Sequence, residues 1–175
     1  DVYSEVDAAA RYADYCGLEH RVVYIYWEDF VAFSRHLMER KKAPFHSIEV
    51  QIYKAALQAK ADGADVIVFG EAADVLYGGF DGLLGKDWNT GDFIDRYTYL
   101  MPYRVMKQPL LPLDAFLKWD KNGHIDPHEF VSHVFYNEAL GTYFNAVGAA
   151  GINLCVPFAK TIFEGNIDYK RDRKS

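Results

Sequence analysis

The sequence predicts an α/β protein, with a parallel sheet and flanking helices over residues 1–82 and a mainly helical part over residues 83–175. Apolar residues at helical spacing alternate with two short, continuously apolar runs, in the order helix, strand, helix, helix, strand. This order is typical of a sheet with helices on its faces. After Phe80 the strand patterns nearly vanish, and helical spacing and prolines take over. With 175 residues, of which 50% are hydrophobic, the chain can fill one domain core.

The first helices and the first strand are predicted from local spacing. Apolar residues recur at helical spacing over residues 4–16, and Gly17 follows as a stop signal. The run RVVYIYW is rich in β-branched and aromatic residues and predicts a buried strand over residues 22–27. A second helix follows Asp29 and is expected to end before Pro44, because proline disfavours helix at the preceding residue.

A third helix and a second strand come next in the chain. The spacing within residues 47–63 predicts a helix that Gly63 ends. Its predicted apolar face consists of Ile48, Ile52, Ala55, Ala56 and Ala59. The apolar residues 66–69 then predict a second buried strand, which stops at Gly70.

Composition and charge argue against several classes of partner. The 19 basic and 25 acidic side chains give a net charge of −6, so the basic surface that nucleic-acid binding requires is not expected. No apolar run reaches the roughly 18 residues that a membrane span takes, and the first residues do not resemble a signal peptide. The widely separated Cys16 and Cys155 are expected to be reduced thiols. We therefore expect a cytoplasmic protein without nucleic-acid or membrane partners.

The carboxyl end of the second predicted strand carries the candidate site. Ligands of open parallel sheets bind outside the carboxyl ends of the strands, and a glycine such as Gly70 lets a ligand approach the backbone. Glu71 and Asp74 follow at once, and a Mg²⁺ ion could lie between such carboxylates and bound phosphates. The residues alone leave a second interpretation open, in which both acids favour the N-terminus of a following helix.

The segment VIVFGEAADVLYGGF resembles the signature loop of the asparagine synthetase (asparagine synthase) family. In that loop a strand runs into Ser-Gly-Glu-Gly-Ala-Asp-Glu and then, a few residues later, Gly-Gly-Tyr. The matching positions are Gly70, Glu71, Ala73, Asp74, Gly78 and Gly79. Weaker likeness lies in SEVDAAARYADYCGLEH, around Pro44 and in AVGAAGINLCVPF. The family pattern is replaced at Phe69, Ala72, Val75, Asn153, Cys155 and Lys160.

The resemblance implies an adenine nucleotide alpha hydrolase-like fold and a ligase that uses ATP and Mg²⁺. ATP would adenylate a carboxylate with release of pyrophosphate, and ammonia or an amine would then attack the acyl-adenylate. Carried over by position, Phe69 and Gly70 would line the nucleotide, Glu71 would be the catalytic residue of the adenylation step, and Asp74 would ligate Mg²⁺. The implied partners are a small-molecule carboxylate, ammonia or an amine and, where glutamine supplies the ammonia, a glutaminase domain or subunit.

Two further parts of the family site are expected outside the 175 residues. A Ser-Gly-Gly-x-Asp-Ser loop, which holds pyrophosphate, is expected roughly 30–60 residues before Asp1, the length of a strand–helix–strand connection. The family's catalytic lysine is expected beyond Ser175. The resemblance therefore implies that residues 1–175 alone are an inactive fragment of the synthetase domain.

Two alternative functions stay open. One is a non-catalytic nucleotide-binding or interaction module of the same fold. The other is a calcium-binding helical module over residues 118–129, because KWDKNGHIDPHE places Asp120, Asn122 and Glu129 at positions 3, 5 and 12 of a calcium loop. Lys118 occupies the first position, where the loop needs a carboxylate, and favours an Asx-turn connection between helices instead.

Overall fold

A computed structural model describes residues 5–77, 79–97, 107–108 and 113–160, apart from the side chains of Leu76, Asp81 and Tyr136. The α-helices are α1 (Glu5–Tyr15), α2 (Trp27–Lys41), α3 (Ile48–Ala61), α4 (Ala73–Leu76), α5 (Asp81–Leu84), α6 (Thr90–Tyr97), α7 (Asp114–Leu117), α8 (Pro127–Val134) and α9 (Leu140–Ala150). The strands are β1 (Val66–Val68), β2 (Trp88–Asn89), β3 (Asp120–Lys121), β4 (His124–Ile125) and β5 (Asn153–Cys155). Within these ranges no helix has the length and apolar character that crossing a bilayer takes.

The described residues group into two compact units. The first is drawn from residues 1–67 and 142–153, and the second from residues 68–141 and 154–175. The predicted division at residue 82 was drawn from strand and helix patterns, and it stays a prediction.

The predicted helices of the first unit are confirmed, with one correction to their packing. Gly17 and Gly63 both have positive φ, at 66° and 89°, which explains why glycine ends these helices. Ile52 and Ala56 of α3 are buried as predicted. Glu49 of the same helix is also fully buried, which the apolar spacing did not predict.

A hydrogen-bonded network satisfies the buried Glu49 carboxylate. Its Oε1 accepts hydrogen bonds from Lys41 Nζ at 2.6 Å and from the backbone N–H of His46 at 2.7 Å. Its Oε2 accepts from Asn145 Nδ2 at 2.7 Å, and the same amide nitrogen donates to the Leu37 carbonyl at 3.0 Å. A buried charge is stable only when donors surround it in this way. The network therefore joins the end of α2, the start of α3 and the middle of α9.

The prediction of a buried strand over residues 22–27 is wrong. Residues 21–26 carry no regular secondary structure, and α2 already begins at Trp27. The side chains of Tyr24 and Trp27 are 64% and 74% exposed. β-branched and aromatic residues favour a strand only where a neighbouring strand completes the ladder. Among the described residues none pairs with this run.

The start of α2 is set by Asp29 instead. Asp29 Oδ2 accepts a hydrogen bond from the Tyr26 backbone N–H at 2.7 Å and one from Lys54 Nζ at 2.7 Å. The Lys54 ammonium, followed by the Tyr26 amide, holds the pKa of Asp29 below its ordinary value. The carboxylate thus ends the extended run and connects it to α3.

The strand predicted at residues 66–69 forms as β1 and pairs with β5. The Asn153 N–H donates to the Asp65 carbonyl at 3.1 Å, and the Phe69 N–H donates to the Cys155 carbonyl at 3.0 Å. These bonds advance in the same direction along both segments, so the pair is parallel. The predicted burial is wrong, however, because Val68 is 62% exposed. The prediction of an α/β chain with a parallel sheet is confirmed in this small form.

The second unit adds a small antiparallel sheet that the sequence did not predict. β4 lies between β2 and β3, with Trp88 opposite Ile125 and Asp120 opposite the same Ile125. Phe93 of α6 packs edge to face on Phe130 of α8, with the ring centroids 5.0 Å apart. The buried core of this sheet and its helices consists of Leu84, Trp88, Phe93, Phe116, Ile125, Phe130 and Val131. The described residues between 83 and 141 are therefore mainly helical around a three-stranded sheet.

We expect Glu49→Ala to lower the free energy of unfolding by about 3 kcal/mol, because it leaves buried donors without an acceptor. The value lies at the low end for such changes, since the Lys41 side chain is 20% exposed and can regain water. Denaturant unfolding measures the change. Glu39→Ala is the matched control, because Glu39 makes an exposed 2.7 Å ion pair with Arg35 within one helix. It should cost far less, because an exposed ion pair contributes little to stability, and equal losses from the two variants would contradict the assigned role of Glu49.

Candidate functional site

The backbone turns sharply where β1 ends. The Gly70 carbonyl accepts a 3.3 Å hydrogen bond from the Ala73 N–H, and Ala72 between them has a φ of 78°. The left-handed conformation costs a residue with a Cβ roughly 1–2 kcal/mol of free energy, whereas it costs glycine almost nothing. The family pattern has glycine at this position, and here the Ala72 methyl is buried against Val156 and other apolar residues. That burial offsets part of the strain and keeps the turn.

Asp74 lies in the first turn of the helix that follows, α4. The Gly79 N–H donates to the Asp74 carbonyl, five residues earlier in the chain, at 2.8 Å. A Cβ built on Gly79 would lie 2.8 Å from both Cα and Cβ of Asp74, too close for any real side chain. Gly79 therefore lets the chain fold back directly over Asp74.

The predicted site residues lie in one short segment at the strand end. Phe69 and Gly70 leave the strand, Glu71 lies in the turn before α4, and Asp74 lies in α4. The second interpretation, that the acids favour a helix N-terminus, fits Asp74 and not Glu71, which precedes the N-cap residue Ala72. The assignment of roles to these residues stays a prediction.

The two carboxylates are open to a ligand. Glu71 is half-buried and Asp74 is exposed. Within the part of the chain that the structure describes, no hydrogen bond or ion pair engages either side chain. The same residues contain no group of three or more His, Cys, Asp or Glu side chains placed to hold a metal ion. One or two carboxylates of this kind are what Mg²⁺ takes from a protein when water and substrate phosphates supply its other ligands.

A second segment supports the turn from the side of β5. The Phe158 ring meets the Tyr77 ring edge to face, with centroids 5.2 Å apart and planes at 73°. Its Cε2 lies 3.9 Å from the point where a Cβ on Gly70 would be. In the sequence, Phe158 was noted only as the last residue of the segment AVGAAGINLCVPF, which resembles the family. Its contact with Tyr77 and Gly70 was not predicted. No local signal could have found it, because the two segments meet only through strand pairing.

Residues 118–129 connect α7 to α8, as the predicted connection between helices requires, and they contain the β3–β4 hairpin and the start of α8. Asn122 and Gly123 have φ values of 57° and 83°, as the type I′ turn of a two-residue hairpin requires. The Asn-Gly pair was a sequence signal for this hairpin. Asp126 then caps α8 by accepting from the His128 and Glu129 N–H groups.

The acidic side chains of this hairpin are engaged within the fold. Asp120 accepts hydrogen bonds from the Thr90 hydroxyl and, at 3.1 Å, from the Gly123 N–H. These bonds, the Thr90 bond foremost, hold the pKa of Asp120 below its ordinary value. Glu129 forms a 2.8 Å ion pair with Lys121. Two of the carboxylates that a calcium loop would supply therefore face protein donors.

Comparison with protein families agrees with the resemblance of the strand-end loop. Residues 1–155 match the family model described as asparagine synthase. The match covers 155 of the 175 residues and includes Phe69, Gly70, Glu71 and Asp74. No curated protein and no solved structure matches the chain. The predicted family is confirmed.

We expect Gly79→Ala to destabilise the protein by about 1–3 kcal/mol, because the added methyl overlaps the Asp74 backbone. Denaturant unfolding measures the loss, and hydrogen exchange of the residue 79 amide reports whether its bond to Asp74 survives. Gly82→Ala is the control, since a Cβ on Gly82, in helix α5, meets no described atom within 4 Å. It should be neutral or stabilising by up to about 1 kcal/mol. A Gly79→Ala protein with wild-type stability and protection would show that the close approach is not required.

We expect millimolar Ca²⁺ to leave the melting temperature within about 1 °C of its value in chelator, because a ligand that does not bind the folded state cannot shift its stability. The reason is that Asp120 and Glu129 are engaged and Lys118 stands where the loop needs a carboxylate. Calorimetry with equal concentrations of Ca²⁺ and Mg²⁺ makes the comparison. A rise specific to Ca²⁺ would restore the calcium-binding module.

Proposed function

Because the chain belongs to the asparagine synthase family, a ligase family, we propose that the protein is an ATP-dependent amide-forming synthetase. A carboxylate oxygen of the substrate attacks the α-phosphorus of ATP and pyrophosphate leaves. The nitrogen of ammonia or an amine then attacks the acyl carbon and releases a proton, and AMP leaves as the amide forms. The substrates that this reaction needs are a small-molecule carboxylate and ammonia or an amine, with a glutaminase domain or subunit as one source of ammonia.

The observation that carries the proposal is the chemistry of the loop after β1. A parallel strand ends at a glycine whose backbone is exposed, and two carboxylates without described partners follow within four residues. In open parallel sheets this is the edge at which ligands bind. Glycine permits close approach of a nucleotide to the main chain. The loop is therefore suited to a nucleotide whose phosphates arrive with a cation.

In this proposal the two carboxylates have different roles. Glu71, in the turn between Gly70 and α4, orients the substrate carboxylate for adenylation, or takes up the proton where the substrate enters as the carboxylic acid. Phe69 and Gly70 line the nucleotide with main-chain atoms. The proposal also assigns the parallel pair of β1 and β5 to an adenine nucleotide alpha hydrolase-like sheet.

Asp74 is the residue proposed to hold Mg²⁺. Its side chain is exposed, and Gly79 lies close against its backbone. When bound, the ion would supply positive charge that offsets the repulsion between Asp74 and the phosphates. The described residues provide no third ligand, so phosphate oxygens and water complete its coordination in this proposal.

We expect Asp74→Asn to lower the rate of ATP–pyrophosphate exchange at least about a hundredfold in the full-length protein, because a neutral amide holds Mg²⁺ far more weakly than a carboxylate, and the phosphate charge is then not offset. The melting temperature should stay unchanged, since the side chain is exposed. Glu71→Gln should keep ATP binding in calorimetry and lose carboxylate-dependent exchange, which separates its role from that of Asp74.

Asp65→Asn is the matched control, because this exposed aspartate lies at the other end of the same strand. It should exchange at the wild-type rate. Wild-type exchange in Asp74→Asn would remove the metal assignment alone. If the wild-type protein showed no ATP–pyrophosphate exchange with any small-molecule carboxylate offered as substrate, the proposed function would be overturned. The non-catalytic nucleotide-binding or interaction module would then be favoured.

A further inference from the structure

We infer that Phe158 is a positioning residue, which holds the strand-end loop, defined here as residues 70–77, in the shape that presents Glu71 and Asp74. The catalytic part of this inference rests on the proposed function. Phe158 lies beyond residues 1–155, so the family match does not include it. The inference comes from its contacts with both ends of the loop.

Phe158 contacts the loop at its first residue and at the end of α4. On one side its Cε2 lies 3.9 Å from the Cβ position of Gly70, the residue at which the loop leaves the strand. On the other side its ring packs edge to face on Tyr77, the C-cap residue of α4, at 5.2 Å. Both carboxylates lie between these two contacts in the chain. One ring therefore sets the distance between the two ends of the segment that carries them.

Phe158 is itself held by hydrogen bonds and by buried neighbours. The Phe69 N–H donates to the Cys155 carbonyl, which ties the strand end to β5 three residues before Phe158. Val156, only 6% exposed, packs in one cluster with Ala72 of the turn. The Lys160 N–H donates to the Pro157 carbonyl at 3.1 Å and closes a short 3₁₀ turn that begins at Phe158. The ring thus projects from a backbone that is fixed on both sides.

Because Phe158 is partly exposed, its role in positioning the loop can be distinguished from a contribution to the stability of the whole fold. Phe158 is 37% exposed and Tyr77 is 38% exposed, so neither is a core side chain. Truncation of a half-exposed ring loses less burial than truncation of a core phenylalanine. An edge-to-face contact instead restrains the direction of approach, because the two rings attract only over a limited range of geometries. Loss of the ring should therefore loosen the loop more than it unfolds the protein.

The test is Phe158→Leu in the full-length protein, with hydrogen exchange and ATP–pyrophosphate exchange measured in parallel. The amides of Tyr77 and Gly79 donate to the Ala73 and Asp74 carbonyls, both at 2.8 Å, and report the closed loop. Their hydrogen exchange should quicken at least about tenfold, while the Lys42 amide, bonded to Met38, stays unchanged. The kcat of ATP–pyrophosphate exchange should fall about ten- to a hundredfold, with KM for ATP changed less than about threefold, as misplaced catalytic groups predict.

Two control variants and a partner variant make the result decisive. Phe158→Tyr keeps the ring and should retain the slow hydrogen exchange of the Tyr77 and Gly79 amides. Phe144→Leu removes an exposed phenylalanine on α9, 59% exposed, and should change neither measurement. Tyr77→Leu removes the same ring contact from the other side, and the double variant should lose less than the sum of the single variants, because both changes break the contact between the two rings. If Phe158→Leu fails to fold, Tyr77→Leu takes its place in every comparison.

The amide measurement decides the inference even without activity. Unchanged protection of Tyr77 and Gly79 in Phe158→Leu and Tyr77→Leu would overturn the positioning role. If hydrogen exchange of these amides became quicker in Phe158→Leu while the kcat of ATP–pyrophosphate exchange stayed at the wild-type value, the catalytic part of the inference would be overturned. A wild-type protein without ATP–pyrophosphate exchange would overturn the proposed function, and the amides would still show whether Phe158 holds the loop.

Discussion

The parallel pairing of β1 with β5 is the interaction on which the candidate site depends. It joins residues 88 positions apart in the sequence, as the hydrogen bonds from Asn153 to the Asp65 carbonyl show. Closing so long a segment costs conformational entropy that no local preference repays. The pairing places the end of β1 beside the turn that contains Phe158. Without it, the Phe158 ring would not be held against Gly70 and Tyr77.

The carboxylates of this chain lie in two opposite environments, one buried and hydrogen-bonded and the other accessible to solvent. Glu49 is fully buried, and its oxygens accept from an ammonium, a backbone N–H and a side-chain amide. Such a group costs several kcal/mol of desolvation and needs every one of its partners. Glu71 and Asp74 remain in contact with solvent, with no described donor against them. A carboxylate left open at a strand end can exchange water for a cation or a substrate at little cost to the fold.

The backbone of the strand-end loop shows how a replaced family residue can be accommodated. Ala72 takes a left-handed conformation that glycine would adopt without strain, and its methyl packs with Val156. Gly79 remains glycine, and there a Cβ would strike the backbone of Asp74. The difference is physical: at Ala72 the added methyl points into an apolar cluster, whereas at Gly79 it would occupy space already filled. The loop shape therefore depends strictly on Gly79 and less strictly on position 72.

Local sequence determined the helices, their ends and the family loop. Helical spacing and glycine stops depend on residues three to five positions apart, so α1 and α3 could be predicted with Gly17 and Gly63 at their ends. The loop of residues 70–79 could be recognised because its pattern is contiguous. The Asn-Gly pair of the β3–β4 hairpin was an equally local signal, and it went unused.

Only the tertiary structure decided which apolar runs pair and which polar groups are buried. Residues 22–27 have the composition of a strand, yet no described segment pairs with them, whereas Val66–Val68 pairs with a strand far along the chain. Glu49 looks like a surface residue of a helix, and its burial follows from Asn145 on another helix. Strand pairing and burial are set by neighbours that are distant in sequence, and composition and spacing carry no information about which distant residues will meet.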